Sequence, residues 1–171
     1  KKTLALIVCI MMVLSLFAAA SLRLQRQQLD DHPRSVAGIG CHFMALWMDR
    51  STETFTHMGG EGIPWVGVAP FTKEEHVFAN LGDGTYFHSG SLAIRQAVSS
   101  GANITYKILY NDATAMTGGQ HVDGDLSPQQ ITFQLHSEGI RDIYLVSENP
   151  EAYPASDIAP GTKTAHRDDL D

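Results

Sequence analysis

Cysteine is nearly absent: Cys9 and Cys41 are the only two in 171 residues, and they lie in segments of different character. That excludes a disulfide framework and leaves no four-thiolate metal site within the chain. Basic residues are also scarce once the first thirty-four positions are set aside, because seven Lys/Arg then face seventeen Asp/Glu, a balance of about −10. Such a surface repels nucleic acid and anionic lipid, so a phosphate bound here needs a metal ion or backbone donors. His42, His57, His88 and His121 stand in separate turns without an H-x-x-x-H spacing, which argues against a zinc site. No internal repeat is present. The apolar fraction of 43% and charged fraction of 18% are those of a folded domain rather than a disordered chain.

One long apolar run stands out. Residues 3–22 have only Thr3, Ser15 and Ser21 as polar members, close to the ~20 residues that cross a bilayer. Lys1 and Lys2 precede the run, and Ala18-Ala19-Ala20 before Ser21 resembles a signal-peptidase site. A secretory signal and an uncleaved membrane anchor fit equally, and a buried core helix is the third alternative. The flanking Arg23, Arg26 and Arg34 prevent charge bias from deciding. The chain begins at Lys1 rather than Met, so a piece of a longer protein, or an abnormal junction, is the expectation.

From Val36 the pattern changes to short apolar runs alternating with helical periodicity, which predicts a layered α/β domain with a mainly parallel sheet. "VAGIGC", "EHVFANL", "NITYKILY" and "RDIYLVSE" read as strands. "SGSLAIRQAVSSG" reads as a helix closed by Gly101. A second helix follows Ser127 as N-cap, with Pro128 in its first turn, Gln130 completing a capping box and Gly139 as terminator. The strands show no clean alternation, which suggests helices on both faces and a three-layer sandwich. Three regions result: residues 1–35 as the apolar segment and junction, 36–148 as the α/β domain, and 149–171 as a Pro-rich, polar, extended tail.

Within that layout Asp83 falls at the carboxyl end of one strand, and Asn111 at the carboxyl end of the next strand in sequence. Ligands of open α/β sheets bind along that edge. Both side chains offer hard oxygen atoms of the kind Mg²⁺ takes, and Mg²⁺ commonly bridges to substrate phosphates. Gly82 and Gly84 allow close backbone approach, and a helix starting near Thr85 directs free N–H groups towards negative charge. A bare Gly-Asp-Gly is more often an ordinary turn. The spacing of twenty-six residues from Gly84 to Asn111, one helix plus one strand, and the later "TGGQ" raise the metal-site reading above that alternative.

"GDG", twenty-six residues and "ND" resemble the diphosphate-binding motif of thiamine diphosphate enzymes. The longer stretches "GIGCHFMALWMDRSTETFTHMGGEG", "ANLGDGTYFHSGSLAIRQAV" and "ITYKILYNDATAMTGGQHVDGDLS" resemble the thiamine-binding region of indolepyruvate:ferredoxin oxidoreductases, members of the 2-oxoacid:ferredoxin oxidoreductase family. The resemblance runs from Val36 to the C-terminus. It implies Mg²⁺ held by Asp83, Asn111 and the carbonyl of Ala113. It further implies cofactor contacts from Gly40, Cys41, His42, His57, Gly59, Gly60, Glu61, Gly82, Gly84, Thr85, Met116, Thr117 and Gly118.

The implied activity is oxidative decarboxylation of an aryl 2-oxoacid such as indolepyruvate, with coenzyme A and ferredoxin as partners and a cytoplasmic location, or a membrane-anchored one if residues 3–22 contact a bilayer. The family's activating glutamate comes from a partner domain, so Glu61 is not given that role, and partner domains or subunits must complete the site. The family's iron–sulfur cluster needs a Cys-x-x-Cys pair upstream and a further cysteine beside Cys41, and this chain has none of the three. Cys41 is then better read as a packed small residue. The competing reading is a tethered or exported α/β domain without catalysis. Phe43, Trp47, Trp65 and Phe87 are read as core, and Lys107 as a strand lysine reaching to the sheet edge.

Overall fold

The computed structural model describes residues 35–40, 43–44, 47, 52–124 and 126–170. The apolar segment 3–22, Cys41 and His42 lie outside them, and so does the expectation of an N-terminal apolar helix. Among the described residues, no helix is long and apolar enough to cross a membrane.

Four strands form a parallel sheet: β1 (Ser35–Ala37), β2 (Thr52–Phe55), β3 (Val77–Gly82) and β4 (Ile104–Leu109), in the order β2-β1-β3-β4. The helices are α1 (Ile63–Val68), α2 (Ser91–Ser100) and α3 (Pro128–Ser137). A helical turn, Asp83–Thr85, and a π-turn, Tyr86–Gly90, lead directly from β3 into α2. A second parallel pair joins β5 (Tyr144–Ser147) to β6 (Lys163–His166).

Local chemistry explains these boundaries. Gly101 closes α2 with φ +69°, a left-handed conformation that residues with a Cβ avoid. At the start of α3, Ser127 Oγ accepts from the Gln130 amide at 3.3 Å while Gln130 Oε1 accepts from the Ser127 amide at 2.9 Å, the capping box read from the sequence. The "VAGIGC" strand ends early, at Ala37, and the chain then bends at Ile39 and Gly40, with Gly38 against the Glu61 side chain.

The expected lack of alternation is corrected by the structure. Val77, Ala79 and Leu81 are buried, and their register partners Ile104, Tyr106 and Ile108 are half-buried on the same face. The side chains between them on β4, Thr105, Lys107 and Leu109, are exposed. One face packs in two groups, Val36 and Trp65 with Val77 and Ala79, and Tyr86, Ile94 and Ile131 with Leu81. Leu81 and Ile94 are fully buried and contribute about 1.5–3 kcal/mol each. Continuous apolar runs hid this because outward positions such as Phe78 and Leu109 are apolar too. Lys107 lies over the Phe78 ring, 4.7 Å from its centroid, on the outer face and away from the site.

Two other expectations change. Of the four aromatics read as core, only Trp65 is buried, its Nε1 donating to the Asn103 carbonyl at 3.0 Å. Trp47 is 77% exposed, Phe87 is exposed, and Phe43 is half-buried, meeting Trp47 and Phe55 edge-to-face. The tail is ordered rather than extended. Ile158 and Ala159 are buried, the Ala159 amide donates to Thr132 Oγ1 at 3.0 Å, and β6 follows.

Candidate functional site

The order β2-β1-β3-β4 reverses direction at β1, since the chain moves outward to β2, returns past β1 to β3 and continues to β4. A crevice opens at the carboxyl ends of strands where such a reversal occurs, and here it lies between the tips of β1 and β3. Two buried carboxylates stand beside it, Asp83 at the end of β3 and Glu61 over the end of β1.

Asp83 is only 6% exposed, yet its carboxylate is well solvated by backbone. Oδ1 accepts from the Gly84 amide at 2.8 Å, and Oδ2 accepts from the amides of Asn111 and Asp112 at 2.9 and 2.6 Å. The tips of β3 and β4 are thereby tied together. Asn111 Oδ1 in turn accepts from the Ala113 amide at 3.0 Å, and Asp112 takes φ +54° to turn the chain. The loop beyond closes on itself, with the Thr114 amide donating to Gln120 O at 2.8 Å and Gly119 donating to Thr114 O at 3.1 Å.

This donor set fits a small hard cation. The Asp83 oxygens and Asn111 Oδ1 are fixed by backbone N–H groups, and each keeps lone-pair capacity for a further partner. Among the described residues no group of three or more His, Cys, Asp or Glu side chains gathers as a metal cluster, so a cation here relies on the Asp, the Asn and main-chain oxygen.

Glu61 is different. Its turn, His57–Gly60, is held by the Gly60 amide donating to His57 O at 3.1 Å. Glu61 is 0% exposed; Oε2 accepts from the Gly59 amide at 2.8 Å, while Oε1 has no hydrogen-bond partner among the described residues. Burial pushes its carboxyl above the usual range, against the smaller opposing pull of backbone N–H groups and of His88 and His57. A Cβ at position 38 would stand 1.9 Å from Glu61 Oε1 and 2.6 Å from its Cγ, so the buried side chain would have to shift to admit one. Gly59, at φ +90°, is equally constrained, since a Cβ would meet Ser89 Oγ at 1.9 Å. Tyr106 OH donates to Glu61 O at 2.9 Å, and its hydroxyl pKa is raised by burial and by Glu61.

The other sequence-predicted residues fall around these two anchors. Gly82 ends β3 and Thr85 is buried beneath the first helical turn. Gly60 packs on the His57 ring, and Gly40 accepts from the Phe43 amide at 2.9 Å in the bend after β1. Met116, Thr117 and Gly118 are exposed on the loop after β4, where Thr117 Oγ1 accepts from Gln120 Nε2 at 2.8 Å. Cys41 and His42 lie outside the described residues. Sequence reasoning missed Gly38, Ser89 and Tyr106. The first glycine of "GIG" was a visible signal for Gly38, whereas the other two become meaningful only through packing against the His57–Glu61 turn.

Comparison with known proteins gives three results. The family described as thiamine pyrophosphate enzyme, C-terminal TPP binding domain, matches residues 38–146. The indolepyruvate oxidoreductase subunit IorA of Thermococcus kodakarensis is 30% identical over 96 residues, which is 48% of this chain and 15% of that subunit. A 2-oxoglutarate:ferredoxin oxidoreductase from Magnetococcus marinus, solved with 2-oxoglutarate, coenzyme A and succinyl-CoA bound, superposes with a TM-score of 0.57. That likeness covers 78% of this chain and 52% of the other at 19% identity, and it concerns the fold. The chain therefore spans a small part of the first relative and about half of the second.

Proposed function

From the premise that the chain belongs to the thiamine pyrophosphate enzymes, as their C-terminal TPP-binding domain, we propose that it is the Mg²⁺- and thiamine diphosphate-binding part of a 2-oxoacid:ferredoxin oxidoreductase of the indolepyruvate type. The single observation that carries the reading is the joining of Asp83 to Asn111 across neighbouring strand tips, beside the point where strand order reverses.

In this reading Asp83, Asn111 and the Ala113 carbonyl hold the ion, and the ion carries the diphosphate that an acidic domain would otherwise repel. The bound cofactor supplies a nucleophilic carbanion and an electron sink for decarboxylation. The chain's own residues position it. Asp83 fixes the loop after β4 by its hydrogen bonds from the Asn111 and Asp112 amides, and the exposed Met116–Gly118 stretch offers a flank for the remainder of the ligand. Coenzyme A, ferredoxin and the aryl 2-oxoacid are then partners of the whole protein, with other domains supplying the activating glutamate and the cluster cysteines. Among the described residues no helix covers the outer face around Phe78 and Lys107, and a second helical layer there would complete a three-layer sandwich. The competing reading, a tethered or exported non-catalytic domain, draws on residues 3–22.

Calorimetry on the 171-residue chain tests the proposal. Thiamine diphosphate should bind only with Mg²⁺, and Asp83→Ala should weaken binding at least about a hundredfold while His88→Ala leaves it within about twofold. Equal affinity in wild type and Asp83→Ala would refute the site. No binding by the wild type would favour the non-catalytic reading. Without its partner domains, the chain should reduce neither ferredoxin nor an artificial acceptor with indolepyruvate as substrate.

A further inference from the structure

Glu61 is buried beside the crevice, and the binding chemistry proposed above does not use its proton. Its surroundings connect three elements that border the site. Oε2 holds the Gly59 amide, Oε1 lies against Gly38 at the tip of β1, and the Glu61 carbonyl receives the Tyr106 hydroxyl from β4. Gly59 rests on Ser89 of the π-turn, and Ser89 Oγ pairs with His88 Nδ1 at 2.6 Å. π-Turns inside helices are frequent at functional sites. The carboxyl group is therefore the hub between the first strand, the His57–Gly60 turn and the segment that follows Asp83.

An ionised carboxylate in this place draws only on the backbone N–H groups of Gly59 and of Glu61 itself, and among the described residues its second oxygen is buried without a partner. Burying a charge so poorly paired is far less favourable than burying the neutral acid. Among the described residues, the titratable groups facing it are His57 on its own turn, His88 on the π-turn and Tyr106 on β4. Among the described residues none forms an ion pair with it, and its carboxylate is served by backbone N–H groups alone, that of Gly59 at 2.8 Å and its own.

We propose that Glu61 is a positioning residue that works in its protonated form: the neutral acid seats the His57–Gly60 turn on the tip of β1 and so shapes one wall of the crevice, and its ionisation releases the turn and weakens ligand binding. The inference rests on the reading of the crevice as the Mg²⁺–thiamine diphosphate site. It adds a proton to that binding equilibrium. Above the pKa of Glu61 in the free chain, one proton is taken up as the cofactor binds, and affinity falls about tenfold per pH unit.

The test compares wild type, Glu61→Gln and Asp83→Ala in the full 171-residue chain, titrated with Mg²⁺ and thiamine diphosphate. Calorimetry across a pH series, in pairs of buffers with different ionisation heats, gives affinity and proton uptake together. Glu61→Gln keeps the shape and the donor but cannot ionise. It should bind within about threefold of the wild type at low pH, lack the wild-type decline and take up about one proton fewer. His57, His88 and the ligand's own phosphate are present in both proteins and cancel in the difference. Thermal melts of each variant establish that it is folded at every pH used. Identical pH profiles and proton counts in wild type and Glu61→Gln, with binding still lost in Asp83→Ala, would overturn the role of Glu61 and leave the metal site standing. Failure of the wild type to bind at any pH would overturn both.

Discussion

Asp83 and Glu61 are both carboxylates buried at strand tips on one edge of one sheet, and their surroundings assign them opposite tasks. Asp83 accepts three backbone N–H bonds, one from its own helical turn and two from the loop after β4, so it is an anchor whose oxygens are aimed and fixed. Glu61 draws on fewer, the Gly59 amide and its own, and among the described residues one of its oxygens has no partner, so burial favours its neutral form and the group can gain or lose a proton with structural consequences. Burial alone therefore does not define a carboxylate's role. The number of donors supplied to it does.

The largest effect expected from breaking this contrast is at the anchor. Asp83→Ala frees the amides of Gly84, Asn111 and Asp112 and separates the tips of β3 and β4, which should lower stability by about 3 kcal/mol. Denaturant unfolding checks the value, and amide exchange at Asn111 and Asp112 should accelerate while that of Val77 and Ala79 keeps its rank. A variant as stable as the wild type would mean that the loop is held by its own Thr114–Gln120 bridge rather than by the carboxylate.

At the other tip the constraint is steric. Gly38→Ala places a methyl group 1.9 Å from Glu61 Oε1 and 2.5 Å from its carboxyl carbon, an overlap that should cost about 2 kcal/mol. The double variant Gly38→Ala/Glu61→Ala should recover part of that loss, because the methyl then enters space the side chain has left. Additive losses in the double-mutant cycle would show that the two residues do not share this space.

The anchor was legible in the sequence, whereas the second carboxylate's environment was not. Asp83, Asn111 and the helix caps could be read because each is specified locally: a glycine-flanked acid after an apolar run, an Asn one helix and one strand later, Ser127 three residues before Gln130. The same local logic gave β3, β4, α2 and α3 nearly to the residue. The condition of Glu61 depends on Gly38, Ser89 and Tyr106, which are distant in sequence and converge only when the strand order is known. The alternation of burial along β3 and β4 was hidden for a related reason. Phe78 and Leu109 look like core residues in a linear string, and only register with neighbouring strands shows that they face away from the packed helices. The tail misled because its Pro and polar residues hide Ile158 and Ala159, the two that dock it.

A smaller effect, and a control for both tips, lies in the cap of α3. Ser127→Ala removes the side-chain half of the capping box, the Oγ that accepts from the Gln130 amide, and should cost about 1 kcal/mol, with no change in the affinity for Mg²⁺ and thiamine diphosphate. Loss of affinity in this variant would indicate that general loosening of the domain, rather than either carboxylate, governs binding.

The smallest expected effect is the most specific. Glu61→Gln should change stability by less than about 1 kcal/mol at acidic pH, where the wild-type side chain is also neutral. The difference between the two proteins should then grow with pH. The folded-state pKa of Glu61 is raised above its unfolded value, so between those two values the native chain binds more protons than the unfolded one, and wild-type stability declines as pH rises. The contribution is fully present below the ordinary glutamate range, near 4.5, and is lost as pH passes through the folded value. Glu61→Gln carries every other titrating group of the wild type, including His57 and His88, and lacks only this decline. Urea unfolding of both proteins over a pH series should therefore give curves that diverge from about pH 4.5 upwards, with the glutamine variant the more stable on the alkaline side. Parallel curves would mean that Glu61 finds a second partner when it ionises, and the contrast between the two strand tips would then lie in their geometry alone.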